Sequence, residues 1–531
     1  MQRRHLLASS LALAAPLPVV AQTSLPQVGR ARVLKFVPQA NLTSLDPVWT
    51  TANVTRHHSY MVYDTLYGLA EDNTAHPQMA EGHSVEDDGR RYVITLRPGL
   101  RFHDGEPVRA ADAVASLARW SRRNAAGQYM AANLEEMVAL DDRRLQIRLK
   151  RRQPNLIDSL ASATSPVAFI MPERIARTDP FSQFREVVGS GPYRFKADEY
   201  VSGSRSVYER NAGYSPAPGG PLSLTAGPKV AHFDRVEWLV IPDAATAAAA
   251  LRTGEVGWYE QVVPELATAL RRDRAISVEP MGARPQPGVL RLNHLHPPFD
   301  NPALRRALLP AIDQRDFMTA IAGDDPAAID VECGFFTTGS AMACKAGLEP
   351  LLGPRSLDRA KALMREAGYS GQPLRLLTPT DILAPSAIAQ VAGDLFRRLG
   401  FNLEDATSDW GTVVQRRAGR EPVEKGGWSA MTTAVNDTDF VDPAVHFALR
   451  GNGGDAWFGW PTSPRLEALR EEWLTAGDRD TQVRIAAAMQ LQAMEDVPYI
   501  PVGAYRAMTA TRRTLRDRVR GFPIFWGVRE G

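Results

Sequence analysis

Ten histidines and two cysteines are the first residues to ask for chemistry. The histidines include the pairs His57-His58 and His294-x-His296, yet none shows the i, i+4 helical spacing of a catalytic metal site. Neither G-x-S-x-G nor H-E-x-x-H occurs anywhere, so the chain reads as a non-enzyme, and no cofactor is expected. Cys333 and Cys344 are too few to hold a metal. In an oxidising compartment they can pair across the short loop between them, for about 3 kcal/mol at best; the alternative is two unpaired thiols. Non-covalent chemistry is better supplied. Trp410, Trp428, Trp457 and Trp460 cluster beside Gly451-Asn452-Gly453-Gly454 and Gly459. Each suits a packed core taken singly, but together they can wall a ligand cleft. Arg416 and Arg417 are either solvated or a fork for a ligand carboxylate.

These residues need a scaffold, and 531 residues at 44% hydrophobic and 23% charged make an ordinary globular chain of several domains. Its 62 basic and 60 acidic residues give a net charge of +2, which lacks the basic field that nucleic acid requires. The start is distinct. Gln2-Arg3-Arg4-His5 is cationic, residues 6–20 are apolar, and Val19-Val20-Ala21 fits a cleavage site, so residues 1–21 read as an export signal. Arg3-Arg4 leaves the general and twin-arginine routes both open. No cysteine stands at the cleavage site to carry a lipid, so a free periplasmic protein is expected.

Strands and helices alternate throughout, which points to an α/β class. Residues 33–37 read as a buried strand, 83–86 and 91–96 as a hairpin around Asp87-Asp88-Gly89, and 144–150 as a strand with Leu145, Ile147 and Leu149 on one face. Ala-rich 244–251 reads as a helix after Asp243. Ser356 is placed to cap a helix over 357–367 that stops at Gly368, and Ser386 to open one that ends at Gly400 before a strand at 401–403. Ser463-Pro464 opens another helix, and 481–495 forms the last long one.

The order of several motifs adds a resemblance to these elements. Leu45-Asp46-Pro47, Tyr63-Asp64-Thr65-Leu66, Leu96-Arg97-Pro98-Gly99, Phe102-His103-Asp104-Gly105, Gly189-Ser190-Gly191-Pro192-Tyr193, Leu251-Arg252-Thr253-Gly254 and Pro498-Tyr499-Ile500-Pro501 span roughly 450 residues. In this order they resemble the solute-binding subunits of peptide, nickel and opine ABC importers. The resemblance implies a two-lobed, hinged binding-protein fold with an inserted domain. Its parts would be lobe 1 over 22–61, 187–285 and 498–531, the inserted domain over 62–186, and lobe 2 over 286–497. The hinge would lie near 290–293 and 499–502. A monomer is expected that takes a peptide or small amine-bearing solute and meets an inner-membrane permease when closed.

In peptide-binding relatives an aspartate four residues before a proline pairs with the ligand's α-ammonium. Asp439 stands at that offset from Pro443, with Asp437 next in line if the register slips. Asn436 occupies the position where those relatives carry a tryptophan. The expected ligand residues are therefore Asp439, Asp437, Trp410, Trp428, Trp460, Arg417 and, near Asp439, His446.

Overall fold

The structure, a computed structural model, describes residues 31–531, so the export signal expected over 1–21 lies outside the described residues. The strand Val33–Val37 forms as the sequence predicts and runs through the middle of a seven-stranded sheet. It pairs in parallel with Arg235–Leu239 on one side and Trp258–Tyr259 on the other. Beyond the latter, Met508–Arg512 lies antiparallel between Trp258–Tyr259 and Ile276–Pro280. This sheet is the core of the first lobe, with Phe36, Trp238, Trp258 and Phe525 packed ring against ring. Ala244–Thr253 is helical as read, with Asp243 accepting from Thr246 N and left-handed Gly254 ending it.

The second lobe is built on six strands in the order Ile329–Asp330, Tyr499–Tyr505, Gln286–Leu292, Ala430–Ala434, Pro373–Pro379, Asn402–Ser408. Pro373–Pro379, the helix Leu383–Leu399 and Asn402–Ser408 make the βαβ unit that the sequence pattern implies, its strands parallel. Ser386 does not cap that helix. The helix begins earlier, at Leu383, because Pro385 sits in its first turn where a missing N–H costs nothing. Ser356 and Ser463 do cap, accepting from Arg359 N and Leu466 N.

A third sheet, in the order Ala80–Glu86, Arg91–Leu96, Arg144–Leu149, Leu134–Ala139, is antiparallel throughout. Leu145, Ile147 and Leu149 all turn into its core with the helix Ala110–Trp120. It is fastened to the first lobe by a buried ion pair. Arg119 donates from Nη1 and Nη2 to the two oxygens of Asp46 at 3.0 and 2.7 Å, and Asp46 also accepts from the backbone of Val48, Trp49 and Phe184. The Gly189-Ser190-Gly191 motif is a close crossing. A Cβ on Gly189 would stand 1.9 Å from the carbonyl oxygen of Val62 at the end of the helix Asn53–Val62.

Two segments carry the chain between the large sheets: 281–285, joining Ile276–Pro280 to Gln286–Leu292, and 506–507, joining Tyr499–Tyr505 to Met508–Arg512. They are tied by Met281 N donating to Ala507 O at 2.8 Å. The hinge positions expected at 290–293 and 499–502 thus lie within strands of the second sheet, the first past its crossing and the second short of its own. Leu290 pairs with Ile500 inside the second sheet, and Tyr499–Tyr505, which lies beyond the boundary expected at 497, is a strand of that same sheet. Both cysteines are free, so the disulfide is absent. Burial raises the Cys333 thiol to about 12, and its sulfur lies 3.2 Å from Asp330 O.

Candidate ligand site between the lobes

The described lobes meet around a small inner cavity of about 30 Å³ whose walls include Gln39, Asn53, Trp410, Arg417, Asp439 and Tyr505. Through Thr51, Phe447 and Trp457, walls common to both, it adjoins an outer chamber of about 190 Å³. The outer chamber is lined by Arg122, Arg123 and Pro166 together with Arg420, Trp457 and Trp460.

Arg417 follows the helix Trp410–Arg416, which Asp409 opens by accepting from Thr412 N. The residue is 2% exposed. Its Nη2 reaches across to Thr50 and Thr51 hydroxyls at 3.1 and 3.4 Å, its Nε has no partner, and among the described residues no carboxylate lies within ion-pair distance. Phe458, Trp410 and Trp457 surround the guanidinium at 4.7, 5.8 and 5.9 Å. Burial, with the charge of Arg123, lowers its pKa to about 9. A charge kept dry without a counter-charge is costly.

Asp439 also faces the inner cavity, but it already has a cation. Arg56, from the helix Asn53–Val62, donates from Nη1 to Oδ1 at 2.8 Å and to Ala163 O at 2.9 Å, with both side chains buried. Oδ2 accepts from Asn436 N at 3.0 Å. Burial pulls the Asp439 carboxyl up while Arg56 holds it down. Asn436, where a tryptophan was looked for, donates from Nδ2 to Asn53 Oδ1 at 2.9 Å. These contacts join the lobes. Asp439→Asn is therefore expected to favour the open form, seen as a larger radius of gyration in solution scattering of the ligand-free protein; an unchanged radius would contradict this.

The other expected residues divide. Trp410 lines the inner cavity and Trp460 the outer chamber, where Arg420 lies 5.0 Å over its ring. Trp428 is a core residue, 6.0 Å from Trp460, whose Nε1 donates to Gly419 O. Asp437 turns toward the crossing segment and accepts from Arg284 N at 3.2 Å. His446 is buried away from both spaces, stacked on Phe440 at 3.8 Å with Nε2 at 2.7 Å from Phe335 O, and burial lowers it to about 3. Arg416 lines neither space. Arg56, Asn53 and Gln39 are missed by sequence reasoning. No local signal marks them, because their partners lie as much as 383 positions away.

Glu260 stands behind the cavity, fully buried, accepting from Gln39 N at 2.7 Å and Gln39 Nε2 at 2.9 Å. Desolvation raises its pKa from 4.5 to about 8, and burial with the charge of Arg56 keeps nearby His57 neutral. The folded state thus holds a proton that the unfolded state has already lost, so stability falls as pH rises from roughly 5 to 8. Glu260→Gln is expected to flatten Tm across that window; a slope equal to wild type would assign the dependence elsewhere.

Two sheet-based lobes linked by two short crossings, with a guanidinium that has no carboxylate partner among the described residues buried between them, define a two-lobed solute-binding protein. The chain belongs to the bacterial extracellular solute-binding proteins, family 5, whose middle-region model matches residues 74–456. It is 33% identical to a probable peptide ABC transporter periplasmic-binding protein, y4tO, of Sinorhizobium fredii, over 99% of this chain and 98% of that one. It is 25% identical to the glutathione-binding protein GsiB of Escherichia coli over 90% of each. Among solved structures it is similar to DppA from Helicobacter pylori in complex with the peptide STSA, with a TM-score of 0.77 at 20% identity over 94% of this chain and 98% of that one. AgaA from A. tumefaciens R10 in complex with agropinic acid gives 0.76 at 19% identity, over 94% and 99%. No described helix is long and apolar enough to cross a membrane.

Proposed function

We propose that this protein is the exported, solute-capturing subunit of an ABC importer, enclosing a carboxylate-bearing, peptide-type solute between its lobes and presenting the closed form to a permease. The observation that carries the ligand reading is Arg417, a buried guanidinium on the cavity wall with no carboxylate partner among the described residues. The names of the y4tO and GsiB relatives support transport and a peptide-type ligand. Capture by closure follows from contacts such as Arg417 to Thr50 and Trp457 to Thr51, which exist only when the lobes are together. The division into a first lobe closing at 505–507, a second lobe and an inserted domain is part of the same proposal. Calorimetric titration of the protein lacking residues 1–21 with short peptides and their amides tests it. Peptides should bind and the C-terminal amides should bind far more weakly; equal binding of the amides would remove the carboxylate from the reading.

A further inference from the structure

Charge within the cleft narrows the ligand beyond its having a carboxylate. The inner cavity has one acid on its wall, Asp439, and Arg56 already balances it; Arg417 is left over. Protonating Asp439 would only enlarge the positive surplus. Two further buried acids, Glu260 and Asp437, line neither space, and burial raises both, Glu260 to about 8. The outer chamber leans the same way. Arg450 is paired with Glu467, but Arg122, Arg123 and Arg420 have no carboxylate within ion-pair distance among the described residues, against the single acid Asp455. Arg123 donates to Trp49 O and lies 4.8 Å over Phe181, and Arg420 donates to Gly454 O, so these guanidiniums are aimed by neutral partners.

A zwitterionic peptide brings one positive and one negative charge. Inside the shut cleft its carboxylate would meet Arg417, while its ammonium would find only a carboxylate that Arg56 has claimed. The closed complex would keep an uncompensated positive charge, which a low-dielectric site penalises. A ligand with net negative charge closes the balance.

We propose that the solute enclosed between the lobes is a net anion, and that Arg56, by neutralising Asp439, is the residue that sets this preference. The proposal rests on the reading of the Arg417 cavity as the ligand site. It extends that reading to a specificity, acidic or N-blocked peptide-type solutes over zwitterionic ones, with the arginine-lined chamber receiving further negative groups.

The test is titration of the full mature chain with Ala-Ala, N-acetyl-Ala-Ala, Ala-Glu and Ala-Lys, followed by calorimetry. N-acetyl-Ala-Ala and Ala-Glu should bind at least about tenfold more tightly than Ala-Ala, and Ala-Lys most weakly. Arg56→Met frees Asp439 and should shift preference toward Ala-Ala. If that variant does not fold, Arg417→Gln serves instead, and the advantage of N-acetyl-Ala-Ala over Ala-Ala should shrink. Ala-Ala binding as well as or better than its acetylated form overturns the net-anion proposal and leaves capture between the lobes standing. Binding of none of the four overturns both.

Discussion

Arg417→Gln should weaken binding of an acidic dipeptide by about 30- to 1,000-fold, an expected loss of about 2–4 kcal/mol. The substitution removes the charge and leaves a shorter, neutral amide. A buried anion would then face Thr50, Thr51 and three aromatic rings with no cation among them. The unliganded protein should be no less stable, because the wild-type guanidinium is buried without a counter-charge and its neutral replacement relieves that. Calorimetry and a melting curve on the same sample separate these effects. Lost affinity together with a lowered Tm would point to a structural role for Arg417.

Asp46→Ala should cost about 3–5 kcal/mol of stability and lower Tm by several degrees. The carboxylate serves Arg119 through two hydrogen bonds and three backbone N–H groups besides. Its removal strands a guanidinium at the join between the first lobe and the inserted domain. Phe184 lies under Arg119 at 5.0 Å, and Arg119 is 3% exposed, so the charge is left largely dry. A double change, Asp46→Leu with Arg119→Met, should recover much of the loss, since two apolar side chains need no partner. Failure of the pair to recover any stability would assign the loss to the backbone N–H groups left without an acceptor.

Local patterns made much of this architecture readable. The strand Val33–Val37, the hairpin around Asp87-Asp88-Gly89 and the helices capped by Asp243, Ser356 and Ser463 follow from periodicity and capping chemistry that act within a few residues. Ser386 misled because a serine beside a proline looks like a start, while burial of Ala384 and Ile388 against the second sheet extends the helix past it. The hinge was displaced for a related reason. Tyr499–Tyr505 carries no charged residue and Gln286–Leu292 only Arg291, and nothing in such runs says which end leaves the sheet. In the site, a tryptophan cluster and an arginine pair are the local signals that single out Trp410 and Arg417, whereas Asp439 is singled out only by the resemblance to peptide-binding relatives. Arg56 is singled out by neither, since a lone arginine in a helix acquires meaning only from the loop that reaches it.

The placement of Met508–Arg512 between Trp258–Tyr259 and Ile276–Pro280 also sets an order of events. During synthesis the first 500 or so residues can collect most of their contacts, yet the first lobe stays split, with two open strand edges, until this last strand arrives to join them. Completion therefore waits on pairing with strands in the middle of the chain, Trp258–Tyr259 and Ile276–Pro280, the kind of distant closure that slows folding most.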